Sequence, residues 1–168
     1  MIPLDGPGGA GKTEVGAVLA DRLGVSFVDL DAEFATVNGD ISAYLARYGY
    51  DAYAEQNVSV YSSLVGERER SHVIALSSGF MTYPDDVHPG YGRWRREISS
   101  SASTIVLLPS LNLETCVAET VRRQLRRAFA RTPDREEHVI RTRFPIYASL
   151  PARKVETMRP ADAVVADL

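Results

Sequence analysis

Short apolar runs alternate with stretches of helically spaced apolar positions along the whole chain. Residues 2–5 form a strand-length run despite Pro3, and Val15, Val18, Leu19 and Leu23 follow at helical spacing up to a stop at Gly24. Ser26-Phe27-Val28 predicts a second strand, delivering Asp29 and Asp31 to its C-terminal end, where alternation sets both carboxylates on one face. Ile41, Tyr44, Leu45 and Tyr48 predict a helix within 40–49, and Tyr53, Val58, Tyr61, Leu64 and Val65 a second one, with the tyrosines read as packing. Val73-Ile74-Ala75-Leu76 has the continuous apolar character of a strand buried on both faces, and it opens into Ser77-Ser78-Gly79. Prolines, glycines and serines in 82–103 predict loop with a brief helix over 93–98. A fourth strand over 104–108 precedes a long helix with Cys116, Val117, Val121, Leu125 and Phe129 on one face, and a strand over 154–157 and a helix over 161–168 close the chain. This alternation implies an α/β fold with parallel strands joined by right-handed crossovers.

Between the first strand and first helix lies Gly6-Pro7-Gly8-Gly9-Ala10-Gly11-Lys12-Thr13, which fits G-x-x-x-x-G-K-[ST]. It reads as a phosphate cradle: glycines turn the backbone N–H groups inward, and the helix N-terminus presents partial positive charge to anionic oxygens. Lys12 would reach the β- and γ-phosphates of ATP, with Gly8, Gly9, Ala10 and Gly11 lining the cradle and the Thr13 hydroxyl on Mg²⁺. Ligands of open α/β sheets gather beyond the carboxyl ends of the strands, so Asp29 and Asp31 fall where metal and substrate would be handled. The alternative is that one of them caps the following helix.

Composition narrows the rest. At 168 residues, 45% hydrophobic and 24% charged, the chain is long enough for one domain with a genuine core. Its apolar runs are too short to span a bilayer and no charged-then-apolar leader precedes the loop, so a cytoplasmic protein without a membrane partner is expected. A net charge of −3 argues against a dedicated nucleic-acid binder. Cys116 has no partner for a disulfide and is read as a buried thiol, while His72, His88 and His138 lie too far apart for a metal site and are read as solvated or capping. Arg122, Arg123, Arg126, Arg127, Arg131 and Arg135 could form an ordinary solvated face; beside a phosphate loop they are read as closing over polyphosphate.

With these pieces in order, the chain resembles the shikimate kinases over nearly its full length. The resemblance rests on the phosphate loop, on Gly24-Val25-Ser26-Phe27-Val28-Asp29-Leu30-Asp31, on Gly39-Asp40-Ile41, on Ser77-Ser78-Gly79 and on Arg143-Phe144-Pro145-Ile146-Tyr147. It implies a P-loop NTPase fold, a five-stranded parallel sheet flanked by helices, spanning 1–168 with a mobile arginine-rich lid at about 126–135 and an acceptor region at about 31–65. It implies ATP and Mg²⁺ as cofactors, and a small-molecule acceptor phosphorylated on a hydroxyl by a monomer or weak homodimer. By the same resemblance Asp29 joins Thr13 at the metal, and Asp31 holds the acceptor hydroxyl. Arg143 and Gly79 bind the acceptor, Arg123 and Pro160 enclose adenine, and Arg127, or Arg126 in the other register, neutralises the transferring phosphoryl group. The family's G-E-x-x-F-R-x-x-E reads here as Gly49-Tyr50-Asp51-Ala52-Tyr53-Ala54-Glu55-Gln56-Asn57, so an arginine is replaced by Ala54 and a glutamate by Asn57. Leu4-Asp5-Gly6-Pro7 is also similar to the cytidylate kinases, a likeness that ends after the first helix. A nucleoside monophosphate kinase and a nucleotide-binding regulatory protein are the alternatives.

Overall fold

The computed structural model describes residues 1–67, 71–126 and 132–168. In chain order the elements are β1 (Ile2–Asp5), α1 (Lys12–Leu23), β2 (Ser26–Asp29), α2 (Leu30–Asn38), α3 (Ile41–Glu67) and β3 (His72–Ala75). There follow α4 (Tyr91–Ser100), β4 (Ile105–Leu108), α5 (Leu113–Leu125), α6 (Pro133–Ser149), β5 (Arg153–Glu156) and α7 (Ala161–Ala166). The five strands form one sheet in the order β2-β3-β1-β4-β5, and every pairing is parallel. β1 is central, which places its C-terminal loop in the middle of the sheet's carboxyl edge.

Apolar runs in the inner strands reflect burial on both faces. Val73 and Leu107 join Leu4, Val15, Leu19 and Val164 under α1 and α7, whereas their neighbours Ile74 and Val106 join Tyr61, Tyr91 and Tyr147 on the opposite face. Cys116 is buried and free as expected, but His72 is buried within β3 rather than solvated. His88 does act as a cap, its Nδ1 accepting from the Gly90 N–H at 2.9 Å just before α4.

Three elements differ from the sequence expectation. The helix placed at 93–98 runs from Tyr91 to Ser100. Residues 133–149, for which no element was expected, form α6 with Pro145 inside it. Asp31 is not on a strand: β2 stops at Asp29, whose Oδ1 accepts from the Asp31 and Ala32 N–H groups and caps α2. A strong helix cap thus overrides the alternation that placed both carboxylates on a strand face. The two predicted helices of 40–65 are both present within α3, on either side of a break at Gly49, whose φ of 84° and ψ of 174° no ordinary helix accommodates. No described helix is long and apolar enough to cross a membrane.

Candidate active site

The phosphate loop leaves β1 and enters α1 as its pattern requires. Its turn is closed by Ala10 N–H donating to Pro7 O at 3.2 Å, and Gly11, at φ 90°, leads into the helix. Lys12 lies back over the loop, with Nζ donating to Gly6 O at 2.6 Å and Pro7 O at 3.0 Å. The Thr13 hydroxyl donates to Asp29 Oδ2 at 2.6 Å, so one carboxylate both caps α2 and meets the start of α1. The capping alternative therefore holds for Asp29, and its second carboxylate oxygen lies against Thr13.

Two cavities open from this loop. The first, of about 400 Å³, runs over Gly8, Gly9, Ala10, Gly11, Lys12 and Thr13 towards Arg123, Thr157, Arg159 and Ala161. Pro160, the N-cap of α7, stands between two of its lining residues. The second, of about 640 Å³, extends from Asp31 past Tyr50, Tyr53 and Ile41 to Arg143 and Tyr147 on α6. The cavities share Gly8, Thr13, Asp29, Asp31, Ser78 and Gln124, so a group bound in one abuts a group bound in the other.

Behind Asp31 stands a relay of neutral donors. Ser77 Oγ donates to Asp31 Oδ1 at 2.5 Å, Asn57 Nδ2 donates to Ser77 Oγ at 2.9 Å, and Tyr83 Oη donates to Asn57 Oδ1 at 3.2 Å. Tyr53 Oη approaches Asp31 Oδ1 at 3.4 Å, and its phenol is held well above the usual range by burial first and the Asp31 charge second. Asn57 and Ala54 are buried and neither lines the second cavity. On the far wall, Arg143 Nη2 donates to Tyr50 Oη at 2.7 Å and Tyr147 Oη donates to Ser78 O. Gly79 sits against this corner, with Tyr50, Tyr83 and Arg143 around it.

The arginine cluster divides. Arg122 and Arg123 both pair with Glu119, at 2.6 Å each, and these guanidiniums, Arg122 first, hold the Glu119 carboxyl down at about 2. Arg122 is thereby taken up on the helix surface instead of facing polyphosphate, because an acid one turn earlier on α5 captures it. Arg123 reaches on, donating to Gly9 O at 3.0 Å and Thr157 O at 2.9 Å, and so joins the phosphate loop to the segment after β5. Arg135 lines the second cavity; Arg127 and Arg131 lie outside the described residues, as does half of the lid expected at 126–135. Sequence reasoning passed over Glu119, Tyr50, Tyr83 and Gln124. Gln124 is buried so close to Gly8 that a side-chain carbon there would lie 1.9 Å from its Nε2. Its position one residue after Arg123 on the arginine-rich helix was the available signal.

A family model described as shikimate kinase matches residues 8–168, and a shikimate kinase of Paramagnetospirillum magneticum is 35% identical over 150 residues, 88% of this chain and 71% of that protein. The chain belongs to the shikimate kinase family. A shikimate kinase of Rhizobium meliloti is 31% identical over 144 residues, covering 83% of this chain and 68% of that one. The solved shikimate kinase from Acinetobacter baumannii, in complex with shikimate, matches with a TM-score of 0.75 at 24% identity over 99% of this chain and 88% of its own. The five-stranded parallel sheet flanked by helices is thus the P-loop kinase fold of the shikimate kinases, and the family is one of ATP-dependent kinases.

Proposed function

We propose that this chain transfers the γ-phosphoryl group of ATP to a hydroxyl of a small polar metabolite, shikimate or an altered relative. The observation that carries this reading is the meeting of the two cavities at Asp31, Thr13 and Gly8. Nucleotide would fill the first cavity, with its phosphates on the loop and Lys12, and adenine between Arg123 and Pro160. The acceptor would fill the second, its reacting hydroxyl held by Asp31 and its far side by Arg143 and the Ser78-Gly79 backbone. Phosphoryl transfer asks little covalent chemistry of a protein, so positioning and charge neutralisation are the work assigned to these residues.

Thr13 and Asp29 supply hard oxygen donors, which suit Mg²⁺, a metal usually held by one or two protein groups together with phosphates and water. Among the described residues no cluster of three or more His, Cys, Asp or Glu offers an alternative metal site, as a phosphate-linked ion would not need one. Held by Thr13 and Asp29, such an ion would supply positive charge to offset that of the phosphates. Asp31 would then orient the acceptor, helped by Ser77, whose hydroxyl fixes one carboxylate oxygen and leaves the other for substrate. Arg127 is assigned the lid role. The reading carries with it a cytoplasmic monomer or weak homodimer. A nucleoside monophosphate kinase would need its arginines for an acceptor phosphate, and Glu119 already engages two of them.

The test is an ATP-consumption screen across cyclitols, hydroxy acids, sugars and nucleoside monophosphates, with Lys12→Ala as control. Acceptor-dependent ADP formation with a hydroxylated metabolite, lost in Lys12→Ala while the circular dichroism spectrum is kept, is the expected result. Turnover of a nucleoside monophosphate instead, or nucleotide binding without turnover of any acceptor, would overturn it.

A further inference from the structure

Gln124, in the last turn of α5, lines both cavities. It is only 4% exposed, and its Oε1 has no hydrogen-bond partner among the described residues. A buried amide oxygen left unpaired is costly and uncommon, and a glutamine serving structure alone would find its partners within the protein. The other end of the amide meets the phosphate loop. A Cβ on Gly8 would lie 1.9 Å from Nε2, 3.0 Å from Cδ and 3.5 Å from Oε1, so the nitrogen is the atom nearest the loop. Gly6, Gly9 and Gly11 have positive φ and Gly8 does not, so the backbone makes no demand for glycine at position 8. What demands it is room for the Gln124 amide. The preceding residue fixes this register, because Arg123 Nη1 donates to Gly9 O at 3.0 Å, and successive side chains of α5 thus engage successive residues of the loop. Gly8 and Thr13 line both cavities, whereas Gly9, Ala10, Gly11 and Lys12 line the first alone. A nucleotide laid along the loop therefore brings its terminal phosphate, the one that faces the acceptor, to the side where Gly8 and Gln124 meet.

We propose that Gln124 binds the terminal phosphate of the nucleotide, its Nε2 donating a hydrogen bond to a γ-phosphate oxygen at the boundary with the acceptor cavity. Ionised phosphate oxygens accept and do not donate, so of the two ends of the amide the nitrogen is the one that can serve. The bond is charge-assisted, and the equatorial oxygens of the phosphoryl group keep their charge during transfer, so the same contact steadies the group in transit. Lys12 supplies charge there and Gln124 direction, which makes Gln124 a catalytic residue. The inference rests on the reading that nucleotide phosphates occupy the loop.

The test is calorimetric binding of the β,γ-imido analogue of ATP and of ADP, each with Mg²⁺ and without acceptor, to the full chain, to Gln124→Met and to Gln124→Glu. Methionine keeps the volume beside Gly8 and removes the donor; glutamate keeps the volume and sets a negative charge against the phosphate. Gln124→Met is expected to bind the analogue about tenfold more weakly while ADP stays within about twofold, and Gln124→Glu to lose more on the analogue than Gln124→Met does. A role in packing alone would leave Gln124→Met unaffected or weaken both nucleotides alike, and either result would overturn the proposal. Turnover of ATP with the acceptors of the screen, measured in parallel, keeps the two readings apart. Selective loss of the analogue without turnover of any acceptor removes the kinase reading and leaves the contact; turnover whose kcat Gln124→Met leaves unchanged removes the contact and leaves the kinase.

Discussion

Asp5, at the end of β1, is fully buried, and neither of its carboxylate oxygens has a hydrogen-bond partner among the described residues. Burial pushes its pKa from 3.8 up to about 6; Lys12 and Arg143 oppose the shift through their charges, and the Gly6 N–H opposes it without reaching full hydrogen-bond geometry. The native state therefore binds the extra proton between pH 3.8 and about 6, and this residue's contribution to stability declines as pH rises through that window. By pH 7 the decline amounts to about 3 kcal/mol. Asp5→Asn is accordingly expected to melt above the unaltered chain at pH 7.5, with the gap closing towards pH 4; thermal melts across that range check it, and a gap independent of pH would refute it. Nothing in the residue pattern marked Asp5, because its burial follows from the central place of β1, a property of the whole sheet. Lys12, Thr13 and Asp29 were legible from loop chemistry and from the end of a strand, Asp31 reaches the cavities although the alternation that placed it does not hold, and Arg143 was reached through the family resemblance alone. Tyr50 and Tyr83 depend on contacts between α3, the segment after β3 and α6, far apart in sequence, and no local period records those.

At the scale of elements, Gly49 turns α3 so that Tyr50 and Tyr53 face the second cavity while Tyr44 and Phe34 pack edge to face, 5.1 Å apart, behind it. A Cβ at position 49 would meet nothing within 4 Å, so any cost of adding one is conformational. With φ at 84° and ψ at 174°, a region used almost only by glycine, that cost is about 1–3 kcal/mol. Gly49→Ala is expected to lower unfolding stability by that amount in urea titration without changing the slope; an unchanged midpoint would show that the break does not need glycine. The two helical patterns on either side of Gly49 were readable from sequence. By contrast α6 escaped, because Pro145 interrupts it and arginines dilute its apolar face. Buried Glu136, Ile140 and Tyr147 nevertheless recur at intervals of four and seven, which is the signal that could have revealed it.

Across the whole molecule, the inner strands come from apolar runs separated by helical stretches, whereas the edge strand β5 carries a single apolar residue, Val155, and the sheet delivers the phosphate loop, Asp29, Ser77 and Thr157 from four different strands to one edge. That convergence makes two cavities with Asp31 at their shared boundary, where the proposed phosphoryl transfer would take place. Its most direct measurement compares steady-state, acceptor-dependent phosphoryl transfer from γ-labelled ATP in the unaltered chain and in Asp31→Asn, together with the nucleotide dissociation constant of each. If Asp31 handles the acceptor hydroxyl, kcat is expected to fall by about 10²- to 10⁴-fold while nucleotide affinity stays within about threefold. Undiminished kcat in Asp31→Asn, or a loss of transfer fully matched by a loss of nucleotide binding, would contradict it.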